Sequence, residues 1–165
     1  MNKKVLAIVI LVLAAVAVLI ILPIITSTLC CHVNNPADKT IELLSDLYNK
    51  PESIKTTQMA VTLTPEYVLS ASALSESTSL SAKNICMSLG DFEGNSNFEI
   101  RQAESNHTIT WKGSSNQNVK VAVTCNINRE KLMEGIEGTM FEEFNLNCNI
   151  CEGQGKCCIV ALVRT

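Results

Sequence analysis

From Val5 to Ile25 every side chain is apolar; from Asn35 onward apolar and polar positions alternate with the periods of helices and strands. At 1.5 Å per residue the first run spans the roughly 30 Å hydrocarbon core of a bilayer, and it exceeds the ~7 to 15 apolar residues of a cleaved signal. It predicts an uncleaved transmembrane helix over residues 5–29. Pro23 falls near its outer end, where Thr26 and Ser27 offer hydroxyls to carbonyls that the proline leaves free. Lys3 and Lys4 flank the short N-terminal side, against only His32 and a distant Lys39 on the other. The positive-inside rule then puts residues 1–4 in the cytoplasm and the remainder outside. The expectation is a single-pass signal anchor in the cell membrane, with the lipid bilayer as first partner and an extracytoplasmic C-terminal domain at the cell surface.

Residues 30–57 read as a juxtamembrane segment holding an amphipathic helix over 36–50. Asn35 can cap it, Pro36 suits its first position, and Asp38 complements its N-terminal dipole. Ile41, Leu44 and Tyr48, with Leu43 and Leu47, give it an apolar face that either continues the membrane rod or packs on the domain.

Residues 58–165 form the expected domain. Gln58 to Leu63 alternates weakly, and Thr64-Pro65-Glu66 is a turn or helix start. The Ser- and Ala-rich tract at 70–82 predicts a short helix from Ala71 to Ser77 followed by loop. Ile85 to Leu89, Phe98 to Arg101 and Thr108 to Lys112 read as strands, and Val119 to Cys125 is the clearest, with Val119, Val121, Val123 and Cys125 on one core face. Asn128 and Thr139 can each cap a short helix. Cys157 to Val163 is apolar on both faces, as in a strand covered on both sides. The fold class expected is α+β: an N-terminal transmembrane helix, then a small sheet of about four to six mainly antiparallel strands with short helices, stabilised by disulfides.

Composition narrows the function. The chain has 13 basic and 16 acidic residues; without Lys3 and Lys4 the count is 11 against 16, a net charge of −5. Such a domain repels phosphate backbones, and its cations are scattered singly, so nucleic acid is no partner.

Eight cysteines fall into two groups. Cys30 and Cys31 are membrane-edge thiols, suited to crosslinking neighbouring chains. Cys86, Cys125, Cys148, Cys151, Cys157 and Cys158 are disulfide candidates, an even number in the oxidising space that the expected topology gives. Neighbours in a strand point to opposite faces, so Cys157 and Cys158 need separate partners. Cys148 and Cys151, across the Glu152 to Lys156 turn, are nearest; Cys86 and Cys125 then pair with each other. Two sharper readings compete. Cys148-Asn149-Ile150-Cys151 has thioredoxin-type spacing, though a glycine-rich turn follows it where a redox centre has a helix. Cys148, Cys151, Cys157 and Cys158 could bind zinc, although the adjacent pair fits tetrahedral geometry poorly.

No nucleophile elbow, zincin helix, phosphate-binding glycine loop or calcium loop occurs, so no catalytic residue, cofactor or metal is assigned. His32 and His107 read as surface imidazoles, and Trp111, alternating with Ile109, as core. Asn106-His107-Thr108 matches a glycosylation sequon on an exposed turn, with Asn106 as the acceptor.

An apolar N-terminal helix containing Pro23, followed by a small α+β domain with C-terminal cysteines, resembles the layout of type IV pilin-like surface proteins, archaeal ones included. The resemblance implies a filament subunit. It departs from that family at Lys3-Lys4-Val5, where no glycine precedes a processing point and no acid begins the apolar run. The function expected is a non-enzymatic extracytoplasmic protein of structural or protein-interaction type, with other cell-surface proteins or further copies of itself as partners. The alternatives are a pilin-like subunit and a membrane-tethered thiol-disulfide oxidoreductase using Cys148 and Cys151.

Overall fold

The computed structural model describes residues 35–48, 56–103, 106–146, 151 and 155–165. They belong to one compact unit, Asn35–Thr165. In chain order it contains α1 (Pro36–Tyr48), β1 (Thr57–Leu63), β2 (Val68–Ser70), α2 (Ala71–Glu76), β3 (Ile85–Ser88), β4 (Phe98–Ala103), β5 (Asn106–Trp111), β6 (Gln117–Asn126), α3 (Arg129–Ile136) and β7 (Cys157–Val163). Three short 3-10 turns intervene, at Ala82–Asn84, Gly90–Phe92 and Met140–Glu143.

Two expectations need correction here. The longest described helix, α1, has 13 residues, which at 1.5 Å each is about 20 Å against a ~30 Å hydrocarbon core. Only one of its faces is apolar. Among the described residues no helix is long and apolar enough to cross a membrane. A fold class built around a transmembrane helix, and the single-pass cell-membrane localisation drawn from it, are therefore unsupported. The architecture is a small sheet-rich domain with a few short helices, and among the described residues two disulfides join cysteine pairs within it. The span expected over 5–29, with Cys30 and Cys31, lies outside the described residues.

The strands form two sheets instead of one. The larger has the order β1-β6-β7-β3 and the smaller β2-β5-β4. All neighbours are antiparallel except β3 and β7, which run parallel with Ile85 opposite Cys158 and Ser88 opposite Ala161. β7 lies between β6 and β3, and all seven of its residues are buried. Its period-two alternation feeds two separate cores. Cys158, Val160 and Leu162 join Val119, Val121 and Val123 on one face; Cys157, Ile159, Ala161 and Val163 join Ala122 on the other.

The first face is covered by α1 and the smaller sheet. On α1 the buried stripe is Thr40, Leu43, Leu44 and Leu47, at the i, i+3, i+4, i+7 spacing of one helical face. Thr40 fits there because its hydroxyl donates to the Pro36 carbonyl at 2.7 Å. The start of the helix is tied to the domain. The Asn35 side-chain oxygen and the Tyr67 hydroxyl both accept from the Ala37 N–H, at 3.0 and 2.9 Å, and the Tyr67 hydroxyl donates to Asn35 at 3.0 Å. The helix is thus part of the domain, which begins at Asn35 and not at residue 58.

Phe92, Phe98 and Trp111 stack in succession at 4.7 Å between ring centroids, at the edge of the first core. The Trp111 indole N–H donates to the Ser115 carbonyl at 2.8 Å, so its polar end is satisfied. Gly90, at φ +53°, crosses directly over β7, where a β-carbon would collide with the Leu162 carbonyl. Glycine is required there on both counts.

Candidate functional site

The second face of the larger sheet carries the cysteines and the most distinctive surface. Asn128 starts α3, its side-chain oxygen accepting from the Lys131 N–H at 2.8 Å. Leu132 and Ile136 then point into the second core beside Phe141 of the 3-10 turn. Thr139 begins that turn by accepting from the Phe141 N–H, while Glu142 accepts from the Gly138 N–H at 2.6 Å. Gly138, at φ +72°, makes the reversal between the two elements.

Between them runs an open groove of about 580 Å³. Glu130, Met133 and Glu134 of α3, with Glu137 just past its end, form one wall beside the buried stripe. Phe141, Phe144 and Leu146 contribute the apolar remainder, with Glu142 among them. Phe141 and Phe144 meet edge to face at 5.7 Å. Met133 is one of the few large apolar side chains left exposed, at 40%. Among the described residues no lysine or arginine lines the groove; Lys131 is engaged by Glu134 at 2.7 Å, which raises its pKa. Among the described residues no three His, Cys, Asp or Glu side chains converge to hold a metal ion, so these carboxylates form a rim and not a chelate. A smaller cavity of about 210 Å³ includes Ser88, Gly90, Glu93 and Asn145, and there Asn145 donates to Glu93 at 2.9 Å.

Cys157 and Cys158 take separate partners, and Cys151 is one of them as expected, but Cys158 and Cys125 pair otherwise than the sequence suggested. Cys125 bonds to Cys158, its direct neighbour across β6 and β7, with Cα atoms 4.0 Å apart. Cys151 bonds to Cys157, with Cα atoms 5.8 Å apart. Cys86 is also disulfide-bonded, but not to Cys125, whose sulfur Cys158 takes. The expected Cys86–Cys125 pair fails because β7 lies between β3 and β6, which separates the two strands by a full strand width. Cys86 also faces the second core and Cys125 the first. Cys148 lies outside the described residues. With Cys151 joined to Cys157, the structure holds no Cys148–Cys151 redox bridge, and the sulfurs of Cys151, Cys157 and Cys158 are not thiolates available to zinc.

Asn106 opens β5 instead of lying on a free turn, and its side-chain oxygen accepts from the Ser72 N–H at 3.0 Å at the start of α2. His107 is not a surface imidazole. It is 3% exposed and its Nδ1 has no partner among the described residues; burial lowers its pKa. Glu99 on β4 is held down to about 2 by hydrogen bonds from Lys112 and Arg101, a surface clamp and not a site.

The groove was missed in the sequence. In the sequence Met133 groups with Leu132 and Ile136 on the short helix that Asn128 caps, and only the fold shows that it is exposed, with Phe144 and Leu146 lining the same groove. No family model, curated protein or solved structure matches the chain. The pilin-like likeness therefore rests on the layout of the chain alone.

Proposed function

We propose that the Asn35–Thr165 unit is a disulfide-stabilised module of structural and protein-interaction type, with no cysteine catalysis of its own. The observation that carries this reading is the state of Cys151. It is bonded to Cys157 and 6% exposed, within the core beneath α3. A catalytic dithiol needs an accessible thiolate stabilised by a helix N-terminus or nearby cations. Here the sulfur braces the sheet face on which α3 and the 3-10 turn rest. What those two elements present to solvent is an open, partly apolar groove rimmed by carboxylates, which leaves room for contact with another protein.

The test is thiol mapping and turnover on the full chain, purified without reductant. Peptide mass mapping is expected to return the Cys125–Cys158 and Cys151–Cys157 bridges, both surviving a glutathione buffer. A disulfide-exchange assay with insulin as substrate should stay at background. A labile Cys148–Cys151 bridge accompanied by turnover overturns the proposal in favour of the oxidoreductase.

A further inference from the structure

We infer that the groove between α3 and the Met140–Glu143 turn docks a cationic amphipathic segment of a partner protein. The inference rests on the interaction reading above and adds the chemistry of the partner.

Charge is the first argument. Between Arg129 and Glu143 there are five glutamates against Arg129 and Lys131, a formal charge of −3, equal to that of the entire chain. Four of those carboxylates, on Glu130, Glu134, Glu137 and Glu142, line the groove. Shape is the second. The groove is open, so it cannot enclose most of a small ligand's surface as closed pockets do. It can accept side chains from a segment lying along it. Apolar anchors recurring every three or four residues would meet Met133, Phe144 and Leu146, while flanking lysines or arginines reach the carboxylate rim. Methionine suits such a surface because its flexible thioether adapts to varied partners.

Other occupants fit less well. Nucleic acid and anionic lipid surfaces are repelled by the rim. A second copy docking face to face would bring the same glutamates against themselves, since a two-fold interface apposes identical patches.

The experiment uses the full chain with its disulfides intact and three labelled peptides of equal length. One carries leucines at i, i+3, i+4 and i+7 with lysines elsewhere; the second replaces its lysines by glutamates; the third scrambles the first. Fluorescence anisotropy gives affinities, and the methyl resonance of Met133 reports where binding occurs. The cationic amphipathic peptide is expected to bind at least tenfold tighter than either control and to shift the Met133 signal. Glu130→Gln with Glu137→Gln should weaken it about tenfold, as should raising salt from 50 to 500 mM. Both glutamates are exposed, so the double variant should fold, which an unchanged thermal midpoint would verify. Equal binding of the glutamate peptide overturns the cationic partner while leaving the interaction reading standing. Indifference to the double variant, or an unmoved Met133 signal, also overturns the inference by removing the groove as its site. If no peptide binds up to about 1 mM, the inference fails and the interaction reading loses its docking face.

Discussion

His107 and Thr124 are the two buried side chains with polar atoms that find no partner among the described residues. Their burial has opposite experimental signatures. Thr124 is nearly isosteric with valine and sits in a wholly buried stretch of β6, opposite Ile159. Replacing a buried, unsatisfied hydroxyl by a methyl group removes a desolvation cost of ~1 to 3 kcal/mol. Thr124→Val should therefore stabilise the domain by about 1 kcal/mol in urea denaturation, with the denaturant slope unchanged. His107 makes its contribution through pH. In the unfolded chain its imidazole returns to the ordinary pKa of 6.5, whereas burial holds the folded value lower. Above pH 6.5 both states are neutral and stability is full. As pH falls below 6.5 the unfolded state takes up a proton that the folded state resists, so stability declines until the folded pKa is reached. His107→Leu should flatten that decline between pH 7 and 5, seen as urea midpoints that converge with wild type on the alkaline side or exceed it most in acid. A slope unchanged by the substitution would assign the decline to other groups.

At the scale of elements, short helices depend on their ends as much as on their faces. With eight residues, α3 is too short to persist alone, and its stability comes from Leu132 and Ile136 packing on the sheet and from the Asn128 cap. Asn128→Ala should cost about 1 kcal/mol, and Asn128→Asp much less, because aspartate keeps the acceptor and complements the helix dipole. Thermal midpoints of the two variants check this ordering. Because α3 also forms one wall of the groove, the alanine variant tests whether peptide binding needs an ordered helix. The 3-10 turn at Gly90–Phe92 shows another kind of constraint. Its glycine is fixed by close approach to the Leu162 carbonyl, so Gly90→Ala should destabilise far more than the ~1 kcal/mol expected from backbone propensity alone.

Across the whole molecule, Cys125–Cys158 and Cys151–Cys157 brace opposite faces of β7, and they should contribute unequally. Cys125–Cys158 closes a separation of 33 residues and Cys151–Cys157 one of 6. The chain-entropy argument gives about 3.7 kcal/mol for the first and about 2.2 kcal/mol for the second. Paired replacements by alanine, Cys125 with Cys158 and Cys151 with Cys157, should reproduce that order in guanidinium denaturation. The reverse order would show that the short loop contributes through packing beneath α3 and not through unfolded-chain entropy. The second bridge also has a functional consequence. It lies in the same core as Leu132, Ile136 and Phe141, so its loss should weaken groove binding even where the fold survives.

Local pattern alone determined which residues share a face. Alternation placed Val119, Val121, Val123 and Cys125 together, set Cys157 and Cys158 back to back, and marked β7 as covered on both sides. A side chain's direction within a strand depends only on its own backbone, so it is legible without knowing the partners. Which strand lies beside which was a different matter. The β1-β6-β7-β3 order, the parallel β3–β7 pair, the separate β2-β5-β4 sheet and the Cys125–Cys158 bridge depend on contacts distant in sequence, and alternation is equally compatible with many registers. The three-residue β2 was too short for any period to show. The apolar run before Asn35 dominated the sequence reading, yet the described architecture rests on the sheet domain alone. The groove was decided last of all: its two walls become a surface only when the sheet brings α3 and the Met140–Glu143 turn together over β7.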